Sequence, residues 1–352
     1  MSGNRETDAG RKPRIGIIPG DPAGIGPELL GCLLSLPGVA AQADLLLIGD
    51  ACLFERAEAQ SGCAVARRAV PEPASEDWWH GPSFAWLETR TIEPDAMALA
   101  EVSEAGGRCS LRVLDTALDL AADGVIDALL FMPFNKASMH RAGLGHDDEL
   151  HYMAERLGVS GPVSELNVMD GMWTSRVTSH IALRDVADAI TPGRIAEAVR
   201  LIHGTLRRTG MAHPRIAVAA LNPHAGDDGN FGREEIDVIA PAVEKLAGEQ
   251  IAVDGPWPSD TVFLKARAGE VDAVVTMYHD QGQIALKLLG FDRGVTVQGG
   301  LPFPVTTPAH GTAFDIAGRG RADVGAARAA FDLACALSGW GKPGATDGGA
   351  GQ

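Results

Sequence analysis

Residues 14–28 read RIGIIPGDPAGIGPE, and the apolar stretch LLGCLLSL follows at once. A short β-branched run, a turn rich in Gly and Pro and then a helical apolar pattern describe a strand, a tight turn and a helix, the opening unit of an α/β protein. The glycines fall at 20, 24 and 26. That spacing matches neither GxGxxG nor GxxxxGK followed by Ser or Thr, so the loop does not announce a nucleotide cradle. Either it only needs glycine backbone angles for a tight connection, or it also borders a site.

Working outward, the same alternation recurs along the chain. Strands are expected at 43–50 (ADLLLIGD), 127–133 (DALLFMP), 175–180 (SRVTSH), 215–222 (RIAVAALN), 272–279 (DAVVTMYH) and 294–299 (GVTVQG). Helical spacing marks 193–208 and 234–248 between them. The pattern predicts an α/β fold with a largely parallel sheet. Residues 71–86 read as an irregular loop and 339–352 as a frayed tail, and neither repeats nor heptads are visible.

With 352 residues and 45% hydrophobic content, the chain is long enough for two globular lobes with their own cores. A formal net charge of -16 opposes binding to nucleic acid or an anionic membrane, since both are polyanions. A small anionic substrate would therefore need a local cationic pocket. Cys32, Cys52, Cys63, Cys109 and Cys335 are odd in number and form no CxxC pair, which suggests neither a disulfide framework nor a thiolate zinc site. The polar N-terminus lacks a signal-peptide core and no apolar run has bilayer length, so a cytoplasmic location is expected.

Three of the ten histidines close predicted strands: His180, His224 and His279. Ligands of open α/β sheets gather at the carboxyl ends of strands, so these imidazoles can converge and hold Zn²⁺ or a similar divalent ion. Each stands alternatively as a structural histidine. In MYHDQGQIALK (277–287), Lys287 follows His279 by eight residues; beside a cation its pKa falls and it can exchange a proton with a hydroxyl. Standing alone it would read as a solvated helix lysine. Asp260 and Asp280 are carboxylates for the same centre or caps, and SDT (259–261) is also an N-cap signature. Lys136 is a weaker catalytic candidate. His140, His146, His151, Arg293 and Arg319 are read as mainly solvated.

GDPAGIGPE, PFNKASMHRAG, LNPHAGDDGNFGREEID, MYHDQGQIALK and HGTAFDIAGRGRADVG resemble, in order and at matching separations from about residue 14 to 335, the motifs of the 4-hydroxythreonine-4-phosphate dehydrogenase family. The resemblance implies NAD(P)-dependent, divalent-metal-dependent alcohol oxidation (Zn, Mn, Mg or Co), with a β-keto acid product able to lose CO₂. It implies that His180, His224 and His279 are metal ligands shared across a homodimer interface, and that Lys287 contacts substrate. HGTAFDIAGRGRAD also resembles the cofactor loop of isopropylmalate and isocitrate dehydrogenases, which assigns His310, Gly311, Ala313, Asp315, Ile316 and Asp323 to NAD or NADP. The implied fold is the two-lobed α/β/α fold of those dehydrogenases, not a Rossmann fold. One lobe would comprise 1–130 plus 300–352 and the other 131–299, with the active site in the cleft.

Departures from the family bear on the substrate. The family's substrate-binding GHT aligns without gaps to Asp148, Glu149 and Leu150, or with a gap to His146; its asparagine is replaced by Thr296 and its arginine by Val305. Losing an arginine fork and gaining a carboxylate weakens a phosphate pocket. The expectation is an unphosphorylated hydroxy acid, a dihydrodiol carboxylate or sugar acid, with Glu149 on a hydroxyl and Val305 on an apolar wall. The alternatives are 4-hydroxythreonine-4-phosphate dehydrogenase itself or a related phosphorylated sugar-acid dehydrogenase. A metal-dependent lyase or a non-catalytic binding protein would form no NAD(P)H.

Overall fold

The computed structural model describes residues 11–70, 72, 79, 84–93, 96, 98–290 and 293–338. Most of the loop expected at 71–86 and the tail expected at 339–352 lie outside the described residues.

The strands are β1 (Arg14–Ile18), β2 (Asp44–Ile48), β3 (Arg67–Ala69), β4 (Phe84–Leu87), β5 (Ala128–Phe131) and β6 (Ser164–Met169). They continue with β7 (Met172–Arg176), β8 (Ile216–Ala219), β9 (Val253–Trp257), β10 (Ala273–Thr276), β11 (Val295–Gly299) and β12 (Val305–Pro308). All join one 12-stranded sheet in the order β3, β4, β2, β1, β5, β12, β11, β6, β7, β10, β8, β9.

Two parallel blocks flank an antiparallel centre. β12, from late in the chain, lies parallel beside β5, and β11 runs antiparallel to both β12 and β6. β6 and β7 form a hairpin, after which β7, β10, β8 and β9 are parallel. The sheet is thus largely parallel, as the sequence suggests, with an antiparallel centre. Asp170 and Gly171 turn the hairpin with φ of 47° and 84°, the left-handed pair that an Asp-Gly turn requires.

Among the described residues, twelve α-helices accompany the strands. They are α1 (Gly26–Ser35), α2 (Val39–Gln42), α3 (Ala51–Ser61), α4 (Glu104–Ala122), α5 (Lys136–Arg141) and α6 (Glu149–Arg156). Then come α7 (Val186–Ala189), α8 (Pro192–Arg208), α9 (Ala240–Gly248), α10 (Val262–Arg267), α11 (His279–Gly290) and α12 (Gly325–Leu337). Side-chain caps start several: the Ser103, Asn135, Asp148 and Thr191 oxygens accept from the amides of Gly106, Ser138, His151 and Arg194.

Successive residues of β2 show why the sheet is covered on both faces. Leu45 and Leu47 enter one apolar cluster with α1 and α12, whereas Leu46 and Ile48 enter another with α4. A run apolar at every position is what a strand between two helical layers demands.

Candidate active site at the strand ends

β7, β10 and β8 deliver the three histidines. After Arg176 the chain leaves the sheet and hooks onto the end of β10: the Val177 and Thr178 amides donate to the Thr276 and Met277 carbonyls at 2.8 and 3.1 Å. SRVTSH is therefore a strand end followed by a hook, not a strand through residue 180. The hook puts the His180 ring 5.6 Å from that of His279, which opens α11. His279 Nδ1 lies 2.7 Å from Asp280 Oδ1. A carboxylate only accepts, so Nδ1 is the donor in this contact and Nε2 is the nitrogen turned to a ligand.

His224 is presented differently. From His224 to Asp228 five consecutive residues have φ between 46° and 82°, a left-handed turn that L-residues avoid. Buried Glu235 over-determines it: Oε1 accepts from the Leu221 and Asn222 amides at 2.8 and 2.7 Å, and Oε2 from Asn222 Nδ2 at 2.9 Å. The His224 ring packs on Phe231. Among the described residues of one chain, no group of three His, Cys, Asp or Glu is gathered as a metal site. The structure thus brings together His180 and His279, with His224 outside their pair.

Lys287 is exposed on α11 and lines a small cavity of about 20 Å³ with Asn167, Gln283 and Leu286. Thr296, on β11, is buried and accepts a hydrogen bond from Asn167 Nδ2 at 3.1 Å. Asp260 is an exposed turn residue; the N-cap of α10 is Thr261, whose hydroxyl donates back to the Pro258 carbonyl and caps nothing.

Around α6, Lys136 Nζ stands 3.5 Å from Glu149 Oε2. Burial pushes the Glu149 carboxyl upward, against the pull of Lys136. Burial would do the same to Asp148, but the amide and ring of His151 outweigh it and hold that carboxyl low. Leu150 borders a cavity of about 210 Å³ shared with His151, Arg176 and Ser179. Val305 has no exposed surface and packs in the α4-side cluster, so it is a core residue and not a pocket wall. His146 pairs with Glu155, and Arg293 with Asp170, as surface ion pairs.

The loop from His310 to Asp323 links β12 to α12, and the opening motif holds it. Glu28, 1% exposed, accepts from the Gly320 and Ala322 amides at 3.2 and 2.6 Å. The Ile25 amide donates to the Thr312 carbonyl at 3.0 Å. A Cβ at Gly24 would come within 2.8 Å of Thr312, so glycine is needed for the close approach. GDPAGIGPE is thus both a tight connection and the seat of that loop. Within the loop His310 Nδ1 contacts the Gly311 carbonyl, Ala313 takes a φ of 41° and its carbonyl accepts from the Ile316 amide, Asp315 is exposed, and Asp323 accepts from the Gly325 amide.

Sequence reasoning passed over Asp21, Glu28, Asn167, Arg176 and Gln283. Asp21 and Glu28 had a signal, as the two carboxylates inside the glycine motif. The others acquire meaning through partners distant in sequence.

Residues 41–334 match the profile of the pyridoxal phosphate biosynthetic protein PdxA. A Pseudomonas aeruginosa protein provisionally named 4-hydroxythreonine-4-phosphate dehydrogenase 2 is 54% identical, over 92% of this chain and 97% of its own length. D-threonate 4-phosphate dehydrogenase of Cupriavidus necator is 39% identical, over 88% of this chain and 93% of its own. The crystal structure of 4-hydroxythreonine-4-phosphate dehydrogenase from Klebsiella pneumoniae superposes with a TM-score of 0.83 at 34% identity, covering 94% of this chain and 99% of that one. A terephthalate 1,2-cis-dihydrodiol dehydrogenase from Burkholderia xenovorans is less similar, at 28% identity and a TM-score of 0.64 over 94% and 99%. The more similar proteins carry names of phosphorylated substrates, and the expectation of an unphosphorylated one finds no support.

Proposed function

The chain belongs to the PdxA family, and from that premise we propose that it is a dehydrogenase oxidising a secondary hydroxyl of a phosphorylated hydroxy acid, 4-hydroxythreonine 4-phosphate or D-threonate 4-phosphate. The observation that carries the reading is the 54% identity along 92% of the chain to a relative named for such a substrate.

The donor set fits a divalent metal in part: two neighbouring imidazoles, one with its second nitrogen tied to a carboxylate. The third ligand, among His180, His224 and His279, is completed across an interface between two copies. Large apolar side chains surround these histidines in the open. Ile181 and Leu183 follow His180, Phe231 lies against His224, and Ile284 and Leu288 stand on the helix that His279 opens, at 43% to 83% exposure. A second copy covers this face.

His180, His224 and His279 would hold a divalent ion between two copies, which would supply Lewis acidity to the substrate hydroxyl. The loop from His310 to Asp323 would hold NAD or NADP, which would supply the hydride acceptor. Lys287 exchanges the hydroxyl proton with solvent, and Lys136 meets the anionic end of the substrate beside Glu149. Val305 takes no part.

The test is dinucleotide reduction with both phosphorylated acids, with NAD and NADP, and with Zn²⁺, Mn²⁺, Mg²⁺ or Co²⁺ against a chelator. Metal-dependent turnover of a phosphorylated acid is expected; turnover of unphosphorylated hydroxy acids alone overturns the reading.

A further inference from the structure

Helix α11 bears His279 at its first residue and Lys287 eight residues on, yet it is thinly anchored. Of its twelve residues only Gly282 and Leu286 are buried, while Ile284 and Leu288 are 60% and 83% exposed. One leucine against the sheet does not fix a helix in rotation, because apolar contact has no direction.

Polar ties supply the missing direction. Gln281 bridges the end of the sheet: its Oε1 accepts from the Met277 amide at 2.7 Å and its Nε2 donates to the Ala220 carbonyl at 2.8 Å. Gln283 lies four residues from both His279 and Lys287, so the three share one face of the helix. Its Nε2 donates to Asn167 Oδ1 on β6 at 2.6 Å.

Asn167 is a junction. The same Oδ1 accepts from Arg176 at 3.2 Å, and Asn167 Nδ2 donates to Thr296, its register partner on β11, at 3.1 Å. Arg176, 8% exposed, is itself held by Glu165 at 2.7 Å and by the Ser179 hydroxyl at 2.9 Å. Ser179 immediately precedes His180. One chain of polar contacts, buried at Asn167 and Arg176, therefore joins the loop of His180, the strand of Thr296 and the face of the helix that carries His279 and Lys287.

We propose that Asn167, Arg176 and Gln283 form a positioning unit, which sets the rotation of α11 and the His180 loop so that His279 and Lys287 face the substrate together. The assignment of His279 and Lys287 to the reaction rests on the function proposed above; the polar chain does not. None of the three need touch substrate: three guanidinium nitrogens of Arg176 are engaged within the protein, and its side chain is 6% exposed.

Gln283→Met keeps the length of a partly exposed side chain and removes its donor, so it should fold. The expected result is faster amide hydrogen exchange across 279–290 in the substrate-free enzyme, with exchange of α12 unchanged. With the substrate that the wild type turns over, kcat should fall about ten- to a hundredfold while KM for the dinucleotide stays within twofold. Asn167→Asp, which keeps the acceptor for Arg176 and Gln283, should retain far more activity than Asn167→Leu. The inference is overturned if exchange across 279–290 is unaltered in Gln283→Met, or if Asn167→Asp and Asn167→Leu are equally impaired. Exchange is read without substrate, so failure of the functional reading leaves this test intact.

Discussion

Asp21, in the opening motif, has no exposed surface, and its Oδ1 accepts from the Ala23 amide at 2.7 Å. Burial pushes its carboxyl up to about 6, against the lowering effect of that amide and of the Ser138 hydroxyl. A carboxyl whose folded pKa lies above its unfolded value keeps its proton longest in the folded state. Its contribution is therefore intact below about pH 4 and declines as pH rises to about 6. Above that it is a standing cost of about 3 kcal/mol. Asp21→Asn should accordingly match the wild type in urea unfolding near pH 4 and exceed its stability by up to about 3 kcal/mol near pH 7.5. An equal difference at both pH values would contradict the assignment. Lys136 makes a second case at this scale, since its ion pair with Glu149 leaves it 44% exposed. Lys136→Ala should raise KM for the phosphorylated acid about 10- to 100-fold and leave the dinucleotide KM unmoved. Neither environment is legible in sequence, because both depend on what the fold packs around a charged group.

At the level of elements, the left-handed turn from His224 to Asp228 depends on one buried carboxylate. Glu235→Ala strands the Leu221 and Asn222 amides and should cost about 2–4 kcal/mol in denaturant unfolding, whereas Glu235→Gln keeps an acceptor and should cost less. Equal costs would show that the turn stands without Glu235. The strands that sequence located, such as β2 and β10, carry unbroken apolar runs, Leu45–Ile48 and Ala273–Val275, because both faces are covered. β6 (SELNVM) escaped because Glu165 and Asn167 give it a polar look, and their partner Arg176 lies one strand away. The Asp-Gly pair at 170–171 was a hairpin signal that would have located both β6 and β7. Strand-end placement did expose His180 and His279 as neighbours, since connectivity alone puts them at the ends of adjacent parallel strands. It could not anticipate the conformation that carries His224, which is imposed from outside the loop.

For the whole molecule, the proposed active site needs two copies to complete it. Leu288 is 83% exposed and contributes nothing to the core of one chain, so Leu288→Arg tests the interface without touching the fold. A wild-type dimer and a folded, inactive Leu288→Arg monomer in sedimentation and turnover assays are expected; a monomeric, fully active wild type would contradict the shared site. The order of the sheet, with β12 returning beside β5, was legible only in outline from the motif order, because pairing across about 170 residues leaves no local trace. The proposed substrate is phosphorylated although Thr296 and Val305 replace an asparagine and an arginine. This is tested most directly by kcat/KM for D-threonate 4-phosphate and for D-threonate, and for 4-hydroxythreonine with and without its phosphate, on the metal-supplied wild type. The phosphorylated form of at least one pair is expected to be preferred by about 100-fold or more. Equal values, or preference for the unphosphorylated acids, would contradict it.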